Sequence, residues 1–597
     1  MIRTMVEPVK KVVIVGGVAG GASCAARLRR LSESASIVML ERGAYASFAN
    51  CGLPYHISGE IDDRDDLLVV SPQVFRGRYN VDVRTNTECV SIDRAKKTVM
   101  CKSLADGSEF SLPYDTLVLA TGASPFVPPN LASAVKEFPD KVFVLRNLSD
   151  MDAIQAKIAA AMTKNNGKCT AVIVGGGYIG IETAEAFARR GVKTVVVELL
   201  PQLLPPFDPE MVVPIEDELK KNGVEVKLGT SCSGIISHGD GIRVKLASGE
   251  EVEADFCLLS VGVRPESTLA KNASIETGPR GGIAVNDHMQ TLTDPSVYAV
   301  GDVVEVKDGV MNVEHLQIPL AGPANRQGHI AASHMIQGET SVIPNDRTYR
   351  GTLGTAILRC FGRVIGSTGC SEKFLRGQLK MELHKDYEKV YGFFNSHAGY
   401  YPGAARLAIK MLFTKNGGRV LGAQVVGWGH EGVDKRVDVF AMALAGRMTV
   451  HDLEQAELAY APPFGSAKDP VNQLGFMACG VLRGEQRHVF WDDDRILQRV
   501  QAGEVILLDV RSVSEWKRGH VDGAVHIPLE QLRDRLQELR DVVGDTKKPV
   551  VAYCAAGFRG YIAQRILDNS GFDTAKTSNL SGGFEAIAKL FRFAPKL

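Results

Sequence analysis

The chain has 597 residues, which at roughly 150 residues per domain predicts about four domains. Its 69 Lys and Arg residues balance 69 Asp and Glu residues, so no basic surplus points to nucleic acid. No apolar run reaches the about 18 residues that cross a bilayer, and residues 1–11 contain no signal-peptide core. The eleven cysteines follow no disulfide framework, which predicts a reduced, cytoplasmic protein without membrane contacts.

The first predicted unit is a strand, a glycine-rich turn and a helix within residues 11–31. Its turn reads G-x-V-x-x-G, with Gly16, Val18 and Gly21 at the motif positions. A second strand leads to Glu41, 20 residues after the last glycine. An acid at this distance is typical of dinucleotide sites, where the turn binds a pyrophosphate and the carboxylate accepts a ribose hydroxyl.

The same pattern returns further along, where Gly175, Gly177 and Gly180 form a complete G-x-G-x-x-G that a strand and Glu198 follow. One such turn is weak evidence, but two copies with matching strands and acids predict two dinucleotide sites. No arginine lies near Glu198, and a carboxylate repels a 2′-phosphate, so the sequence favours NADH over NADPH. The alternative is that Glu198 is solvated and other residues set the preference.

The rest of the chain divides into regions of different composition. Further strands are predicted at residues 116–123, 296–302, 420–426 and 505–510, and a helix at 434–445. Between residues 348 and 469 strands and aromatic residues dominate, which is typical of a separate domain. Residues 483–488 are interpreted as a linker, after which a final α/β unit begins.

A single cysteine, Cys51, lies in the string Ser47-Phe-Ala-Asn-Cys-Gly-Leu-Pro-Tyr-His56. This string resembles the S-F-x-N-C-G-L-P-Y signature of coenzyme A disulfide reductases, flavoproteins of the pyridine nucleotide-disulfide oxidoreductase family with one redox cysteine instead of a Cys-x4-Cys pair. The C-terminal region resembles a rhodanese through Asp509-Val-Arg511, Gly519-His-Val-Asp-Gly-Ala-Val-His-Ile-Pro528, Cys554-Ala-Ala-Gly-Phe-Arg-Gly560 and Leu580-Ser-Gly-Gly-Phe584. The whole chain is similar to fusions of the two, some of which are NADH-dependent persulfide reductases.

The resemblance implies an α/β fold with two Rossmann-like dinucleotide-binding domains, an α+β dimerisation domain and a C-terminal rhodanese domain. The expected boundaries are 1–140 with 276–340 for FAD, 141–275 for NAD, 345–470 for dimerisation, 471–494 for a linker and 495–597 for the rhodanese. The implied cofactors are FAD, NADH and coenzyme A. The predicted FAD and NADH residues are Gly16, Val18, Gly21, Glu41, Arg42, Thr121, Gly122, Gly175, Gly177, Gly180, Glu182, Glu198, Gly301 and Asp302.

The predicted chemistry centres on two thiols. Cys51 has to react as a thiolate, which needs positive charge or a helix N-terminus nearby. Tyr400 and Tyr460 resemble two tyrosines that the partner subunit supplies to this cysteine, where a phenol can protonate a leaving thiolate. Cys554 begins a loop of small residues whose N–H groups, with Arg559, would stabilise an anionic persulfide. Tyr401, next to Tyr400, is the open alternative for the inward-facing phenol.

Further residues are implied to bind coenzyme A, whose phosphates suit guanidinium groups. They are Arg27, Arg30, Ser47, Phe48 and Asn50, and Arg29 on the same helix is a third candidate. The histidines form no recognisable metal set, so no metal site is predicted.

The sequence therefore predicts a homodimeric, cytoplasmic, FAD-dependent reductase of small sulfur compounds. NADH would reduce coenzyme A persulfide, polysulfide or coenzyme A disulfide through a mixed disulfide at Cys51, coupled to sulfurtransfer at Cys554. One alternative is an NADH oxidase or peroxidase with a Cys51 sulfenic acid, which Ala19 disfavours because such relatives have a histidine there. Others are a sulfur-delivery protein and a thiosulfate sulfurtransferase.

Overall fold

The structure is a computed structural model that describes residues 11–338, 347–544 and 548–592. The chain divides into two compact units. The first contains Met1–Pro201 and Gly223–Gly354, and the second contains Gln202–Asn222 and Thr355–Leu597. The predicted domain limits at residues 1, 340, 345 and 597 lie outside the described residues.

The first unit contains an N-terminal sheet of five parallel strands. Their order is Val297–Ala299, Thr116–Leu119, Lys11–Val15, Ser36–Leu40 and Asp82–Arg84. The central strand is a β-branched run buried on both faces, as expected for a parallel sheet covered on each side. The helices Ala19–Leu31 and Ala321–Gln337 pack together on one face and bury Cys24, Leu28 and Ala331.

A second sheet of the same unit repeats this architecture. Its parallel strands are, in order, Glu225–Leu228, Lys193–Glu198, Thr170–Val174, Phe256–Leu259 and Val142–Phe143. The helix Tyr178–Arg189 follows the glycine-rich turn directly. The helix Leu148–Lys164 begins at a capping box formed by Asn147 and Asp150, which satisfies its first N–H groups.

The first unit also contains several smaller elements. Three-stranded antiparallel sheets comprise Thr87–Asp93, Thr98–Ser103 and Glu109–Pro113, and Cys232–His238, Gly241–Leu246 and Glu251–Ala254. Strand pairs join Ala123–Pro125 to Val263–Pro265 and Ile283–Ala284 to Val304–Glu305. Short helices are Asn50–Gly52, Leu53–Ser58, Arg64–Leu67, Pro72–Tyr79, Pro129–Leu131, Ala132–Glu137 and Thr268–Asn272.

The second unit contains a five-stranded antiparallel sheet, in agreement with the strand-rich composition of this region. The strand order is Ala356–Cys360, Arg363–Gly369, Val420–Gly427, Arg406–Thr414 and Tyr387–Asn395. Its helices are Pro209–Lys221, Glu372–Gly377, Val433–Ala445, Val450–Gln455 and Pro470–Leu482. The predicted strand at 420–426 and helix at 434–445 are confirmed within a residue or two.

The C-terminal sheet of the second unit is parallel. Its strands are, in order, His488–Val489, Thr577–Leu580, Val550–Tyr553, Ile506–Asp509 and Val525–His526. The surrounding helices are Ile496–Gln501, Val513–Lys517, Leu529–Gln531, Leu536–Val543, Phe558–Asp568, Thr574–Lys576 and Gly583–Lys589. Leu507, Val551 and Leu580 lie in its core.

The segment predicted as a linker, residues 471–494, differs from that expectation. Most of its first half belongs to the buried helix Pro470–Leu482, which starts at an Asp469 capping box. His488–Val489 then adds an edge strand to the C-terminal sheet, and Phe490 is only 1% exposed. Apolar residues at helical spacing explain the helix, so the segment is folded along most of its length.

A buried charge cluster explains why Gln202–Asn222 joins the second unit although it lies inside the range predicted for NAD binding. The Lys410 ammonium lies 2.9 Å from Asp208, 2.6 Å from Glu210 and 2.6 Å from Glu372. All four side chains are buried. Leaving a buried charge unpaired costs roughly several kcal/mol, so these ion pairs hold residues 202–222 against the antiparallel sheet. No helix among the described residues is long and apolar enough to span a membrane.

Candidate active site

Cys51 lies in the short helix Asn50–Gly52, which leads into Leu53–Ser58. All eleven cysteines fall within the described residues, and Cys51 alone is exposed. Desolvation of the sulfur, followed by the charges of Glu182 and Asp302, raises the pKa of the Cys51 thiol. The sequence predicted surroundings that favour the thiolate, whereas these acidic neighbours favour the neutral thiol.

Tyr55 connects the cysteine segment to the second glycine-rich turn. Its phenol donates a hydrogen bond of 3.1 Å to Glu182 Oε1, across 127 residues of sequence. Glu182 lies on the helix Tyr178–Arg189, one turn after its start. Glu182 therefore lies close enough to Cys51 to raise the pKa of its thiol, and its role beside the nicotinamide remains a prediction. Sequence reasoning missed Tyr55, although the signature string contains it.

The first glycine-rich turn has the geometry of a phosphate site. Gly16 has φ of 106°, and a Cβ there would lie 2.1 Å from a backbone oxygen. The helix Ala19–Leu31 follows Val18, whose side chain caps none of the helix N–H groups. Glu41 Oε2 accepts a hydrogen bond of 2.9 Å from Gly17 N–H. An uncapped helix N-terminus next to this carboxylate fits the pyrophosphate and ribose of FAD.

Two predicted flavin residues, Gly301 and Asp302, follow the strand Val297–Ala299. The Gly301 N–H donates to Gln327 Oε1 at 2.7 Å. Desolvation raises the pKa of Asp302 to about 6, and the positive charge of Arg146 opposes this shift. Sequence reasoning missed Arg146, which reaches the site only through the fold.

Three further residues, Thr121, Gly122 and Arg42, are predicted to bind FAD. The Thr121 hydroxyl donates to the Glu266 carbonyl at 2.7 Å, and Gly122 has a left-handed φ of 68°. Arg42 is exposed and lies 3.7 Å from Glu88. Thr121 and Gly122 follow the strand Thr116–Leu119, and a Cβ at Gly16 would lie 3.3 Å from Thr121 N. A role for Arg42 in binding a phosphate remains a prediction.

The second glycine-rich turn resembles the first in geometry. Gly175 has φ of 113°, and a Cβ there would lie 2.3 Å from the Ser260 carbonyl oxygen. At Gly177 an added Cβ would meet no atom within 4 Å, so space is open before the helix. Glu198 is buried, and its two oxygens accept N–H bonds from Gly176 at 2.7 Å and from Leu200 at 2.8 Å. The turn fits a second dinucleotide.

Gly21 and Gly180 hold these two turns against their helices. A Cβ at Gly21 would lie 1.9 Å from the Gly16 oxygen, and one at Gly180 would lie 2.0 Å from the Gly175 oxygen. Such distances are far below van der Waals contact. Both glycines are therefore required for close packing of the turn against its helix. Their contact with FAD and NADH remains a prediction.

The three candidate arginines on helix Ala19–Leu31 have different surroundings. Arg29 is 4% exposed, and its guanidinium donates to five backbone carbonyl groups, so its role is structural. Arg27 is half-buried with Nε 3.2 Å from Ser333 Oγ, and Arg30 is exposed. Arg29 is therefore excluded as a coenzyme A ligand, and Arg27 and Arg30 remain predictions.

The remaining predicted coenzyme A residues surround Cys51 in sequence. Ser47 has a left-handed φ of 49°, and its N–H bonds the Gly17 carbonyl at 2.8 Å. Ser47 and Phe48 are half-buried, while Asn50 is exposed and its Oδ1 lies 3.7 Å from the Cys51 sulfur. This loop is thus joined directly to the first glycine-rich turn.

Tyr400 and Tyr460 form a pair in the second unit. Their hydroxyl oxygens are 3.2 Å apart, and both side chains are exposed. The hydrogen bond with Tyr460 raises the pKa of Tyr400. Tyr401 instead packs its ring edge-to-face against His397. The structure therefore pairs Tyr400, and not Tyr401, with Tyr460.

Cys554 ends the strand Val550–Tyr553 and begins the loop before helix Phe558–Asp568. The thiol is 2% exposed, and the Gly557 N–H donates to its sulfur at 3.2 Å. A second turn supports the loop, since Phe584 N–H donates to the Cys554 carbonyl at 2.8 Å. An N–H group directed at the sulfur is suited to an anionic sulfur, as predicted.

Arg559 is engaged by a carboxylate that the sequence analysis did not identify. Its two terminal nitrogens donate to Glu515 at 2.8 and 2.6 Å. Arg559 holds the pKa of Glu515 down at about 2, and Ser512 contributes to this shift. The guanidinium also interacts with the Cys554 thiol. Arg559 is therefore fixed beside the sulfur by Glu515.

Two groups among the described residues have ligand atoms close enough for a metal ion. In the first, Asp208, Glu210 and Glu372, the Lys410 ammonium already occupies the shared position. The second consists of His451, Glu454 and Cys479, and there Arg483 donates to both Glu454 oxygens. A guanidinium bound in this way competes with a cation for the carboxylate.

Comparison with known families matches three consecutive parts of the chain. Residues 10–328 match the pyridine nucleotide-disulphide oxidoreductase model, and residues 361–470 match the dimerisation domain of the same family. Residues 492–590 match the rhodanese-like domain. These matches confirm the predicted fold class.

Curated relatives include coenzyme A disulfide reductases from two staphylococci. The Staphylococcus haemolyticus protein is 32% identical over 469 residues, which is 79% of this chain and 99% of the relative. The Staphylococcus epidermidis protein is 33% identical over 468 residues, covering 78% and 99%.

Solved structures extend the similarity to nearly the entire chain. The reduced CoADR-RHD of Bacillus anthracis is 40% identical, with a TM-score of 0.89 and 98% of each chain covered. The NAD-dependent persulfide reductase of A. fulgidus is 33% identical, with a TM-score of 0.84 and coverage of 96% and 99%. The chain therefore belongs to the FAD- and pyridine nucleotide-dependent disulfide oxidoreductase family, with a C-terminal rhodanese-like domain.

Proposed function

We propose that the protein uses NADH, through FAD, to reduce coenzyme A persulfide, polysulfide or coenzyme A disulfide at Cys51, and that Cys554 carries sulfane sulfur. The observation that carries this proposal is the distribution of thiols. Cys51 alone of the eleven cysteines is exposed, and it lies within the electrostatic reach of Glu182 and Asp302. One accessible thiol suffices when the second sulfur comes from the substrate. The relatives named as disulfide and persulfide reductases support this choice.

The first step is attack of Cys51 sulfur on the coenzyme A-side sulfur of the substrate. With coenzyme A persulfide, a Cys51–coenzyme A disulfide forms and hydrogen sulfide leaves; with coenzyme A disulfide, one coenzyme A thiol leaves. Two electrons from NADH then cleave the mixed disulfide into the Cys51 thiol and coenzyme A. FAD, when bound, transfers those electrons from the nicotinamide to sulfur.

Residues of this chain prepare and complete that step. Desolvation of the sulfur, followed by the charges of Glu182 and Asp302, raises the pKa of the Cys51 thiol, and the Tyr55 phenol holds Glu182 by a hydrogen bond. The phenols of Tyr400 and Tyr460, supplied by the partner of a homodimer, would protonate the leaving thiolate. Their exposure in the isolated chain is consistent with such an intersubunit role.

Three sets of residues would hold the ligands. The first glycine-rich turn with Glu41 holds FAD, and the second turn with Glu198 holds NADH. Coenzyme A phosphates would bind Arg27 and Arg30, with the Ser47–Asn50 loop along the pantetheine arm. The two turns have uncapped helix N-termini, which suit pyrophosphates.

The C-terminal site would exchange sulfane sulfur with the same substrate pool. The Cys554 thiol takes the outer sulfur of a persulfide, leaving the donor as a thiol and Cys554 as a persulfide. The Gly557 N–H and the adjacent Arg559 charge stabilise that persulfide anion. A sulfur acceptor then restores the thiol, so the exchange needs no external electrons.

Anaerobic NADH consumption tests the proposal. Wild type, Cys51→Ser, Cys554→Ser and the matched control Cys89→Ser are assayed with coenzyme A persulfide and with coenzyme A disulfide. We expect Cys51→Ser to abolish turnover of both substrates, whereas Cys89→Ser, at a half-buried site distant in sequence, retains it. Turnover that survives in Cys51→Ser, or no NADH consumption by wild type, contradicts the proposal.

A further inference from the structure

One arginine of the second unit joins the two loops that carry Tyr400 and Cys554. Arg406 begins a strand directly after the connection 396–405, which includes Tyr400. It pairs in register with Asn395 at the base of this hairpin, and its NH1 donates to Asn395 Oδ1 at 3.2 Å. The side chain thus closes the base of the tyrosine loop.

The same guanidinium extends to the C-terminal sheet. Arg406 Nε donates to Glu585 Oε2 at 3.0 Å, and its NH2 donates to the other oxygen. Glu585 lies behind the sulfur loop, because its own N–H donates to the Ala555 carbonyl at 2.8 Å. Ala555 directly follows Cys554. A short path of hydrogen bonds therefore leads from the base of the tyrosine loop to the cysteine loop.

The ion pair of Arg406 and Glu585 is partly shielded from solvent and has a further cation beside it. The Arg406 and Glu585 side chains are 28% and 19% exposed. Lys589 also donates a hydrogen bond to Glu585 at 2.8 Å. Burial alone would raise the pKa of the Glu585 carboxyl, but the positive charges of Arg406 and Lys589 lower it. A bidentate pair with this burial has a fixed geometry, unlike a mobile surface ion pair.

A second contact holds the same turn against the sheet. The Tyr391 N–H donates to Ser581 Oγ at 3.1 Å. Gly582 has φ of 75°, and a Cβ there would lie 3.1 Å from Tyr391 Cβ. The turn after strand Thr577–Leu580 therefore packs closely against the antiparallel sheet. Arg406 adds a charged contact through Glu585, whose backbone is hydrogen-bonded to the loop that carries Cys554.

We propose that Arg406 is a positioning residue shared by the two loops: through Asn395 it fixes the tyrosine loop, and through Glu585 it fixes the Cys554 loop. Its loss would loosen both. This inference rests on the proposed roles of Tyr400 and Cys554 and adds that one side chain sets the geometry of both. Displacements of about 1 Å are known to cost on the order of a hundredfold in rate, so a tenfold or larger effect is expected.

The test uses the full-length FAD-loaded protein and the variants Arg406→Ala, Arg406→Lys and the swap Arg406→Glu with Glu585→Arg. Arg376→Ala is the matched control. Arg376 also links the antiparallel sheet to the C-terminal region, through Asp493 at 2.8 Å, but it bonds Tyr387 at the opposite end of the strand from Asn395.

Three readouts are compared. NADH consumption with coenzyme A disulfide measures the function of the Tyr400 loop. Thiocyanate formation from coenzyme A persulfide and cyanide measures the reactivity of Cys554. Labelling of Cys554 by iodoacetamide, followed by mass spectrometry, measures the accessibility of its loop without any turnover. Arg406→Ala is expected to lower kcat about tenfold or more in both reactions with little change in KM, and to accelerate Cys554 labelling. The swap restores labelling and thiocyanate formation towards wild type.

Other results overturn the inference. It fails if Arg406→Ala changes these rates no more than Arg376→Ala does, if only KM rises, or if the swap restores nothing. A wild-type protein that does not consume NADH contradicts the proposed function instead. In that case labelling of Cys554 still decides whether Arg406 holds its loop.

Discussion

Glu198 makes the cofactor preference testable because its position is fixed. It ends the strand Lys193–Glu198, and its oxygens accept the N–H groups of Gly176 and Leu200 at 2.7 and 2.8 Å. A carboxylate has about four lone-pair positions, so each oxygen can also accept a ribose hydroxyl. The carboxylate therefore supports the turn and remains available to the adenosine ribose.

The expected discrimination follows from charge. Two like charges about 4 Å apart repel by about 4 kcal/mol at an effective dielectric constant of about 20. Since about 1.4 kcal/mol is tenfold, a 2′-phosphate facing Glu198 loses roughly a thousandfold in affinity. Wild type should therefore prefer NADH to NADPH by about two to three powers of ten in kcat/KM, allowing for screening by salt.

Glu198→Gln removes the charge and keeps one carbonyl oxygen. One backbone N–H then loses a charge-assisted bond, which costs about 1.5–3 kcal/mol and lowers kcat/KM for NADH roughly tenfold to a hundredfold. The preference for NADH over NADPH should fall to within about tenfold, because the repulsion is gone. Steady-state kinetics with both nucleotides measure this ratio.

The first turn offers a matched control. Glu41 accepts N–H bonds from Gly17 at 2.9 Å and from Gly43 at 2.8 Å, in the same arrangement as Glu198. Glu41→Gln should weaken FAD retention and leave the NADH to NADPH ratio unchanged. The reasoning is refuted if Glu198→Gln leaves the ratio unchanged, if Glu41→Gln changes it equally, or if wild type prefers NADPH.

Three further predictions concern other charged groups. Lys410→Met removes the cation that the buried Asp208 and Glu210 share and should lower the free energy of unfolding by about 3–5 kcal/mol in urea titrations; an unchanged midpoint contradicts this. Because desolvation and, after it, the charges of Glu182 and Asp302 raise the pKa of the Cys51 thiol, its alkylation should accelerate only at alkaline pH, and Glu182→Gln should shift that profile to lower pH; a shift in the other direction refutes it. Glu515→Gln releases Arg559 and should slow cyanide-dependent thiocyanate formation roughly tenfold, whereas unaltered rates show that Arg559 needs no anchor.

The features that the sequence predicted well depend on local spacing. Gly16 and Gly175 are recognisable because a strand, a tight turn and a helix follow one another within a few residues, and steric contact at the turn admits only glycine. Glu41 directly follows the next strand and Glu198 ends the corresponding one, so parallel pairing carries both to the turn. Cys51 is recognisable by its neighbours in the chain.

Contacts between distant segments could not be predicted in this way. Tyr55 and Glu182 are 127 residues apart, and Arg559 and Glu515 are 44 apart. No periodicity connects such pairs, because only the folded chain brings them together. Arg29 shows the converse: its charge suggested a phosphate ligand, but the end of its helix surrounds it with carbonyl groups.

The difference between the predicted linker and the observed structure has another cause. Glycine and charged residues at 483–488 suggested an extended connection, yet the preceding apolar residues complete a helix and the following ones an edge strand. The C-terminal region is consequently docked on the antiparallel sheet by contacts such as Tyr391 to Ser581. Short range sequence patterns do not reveal docking of this kind.

Direct detection of the mixed disulfide tests the central claim most strictly. The FAD-loaded protein is mixed anaerobically with coenzyme A disulfide, digested and analysed by mass spectrometry before and after addition of NADH. The account predicts one coenzyme A bound to the Cys51 peptide, released as the thiol with one NADH consumed per adduct. An adduct on another cysteine, no adduct, or an adduct that NADH does not release would contradict it.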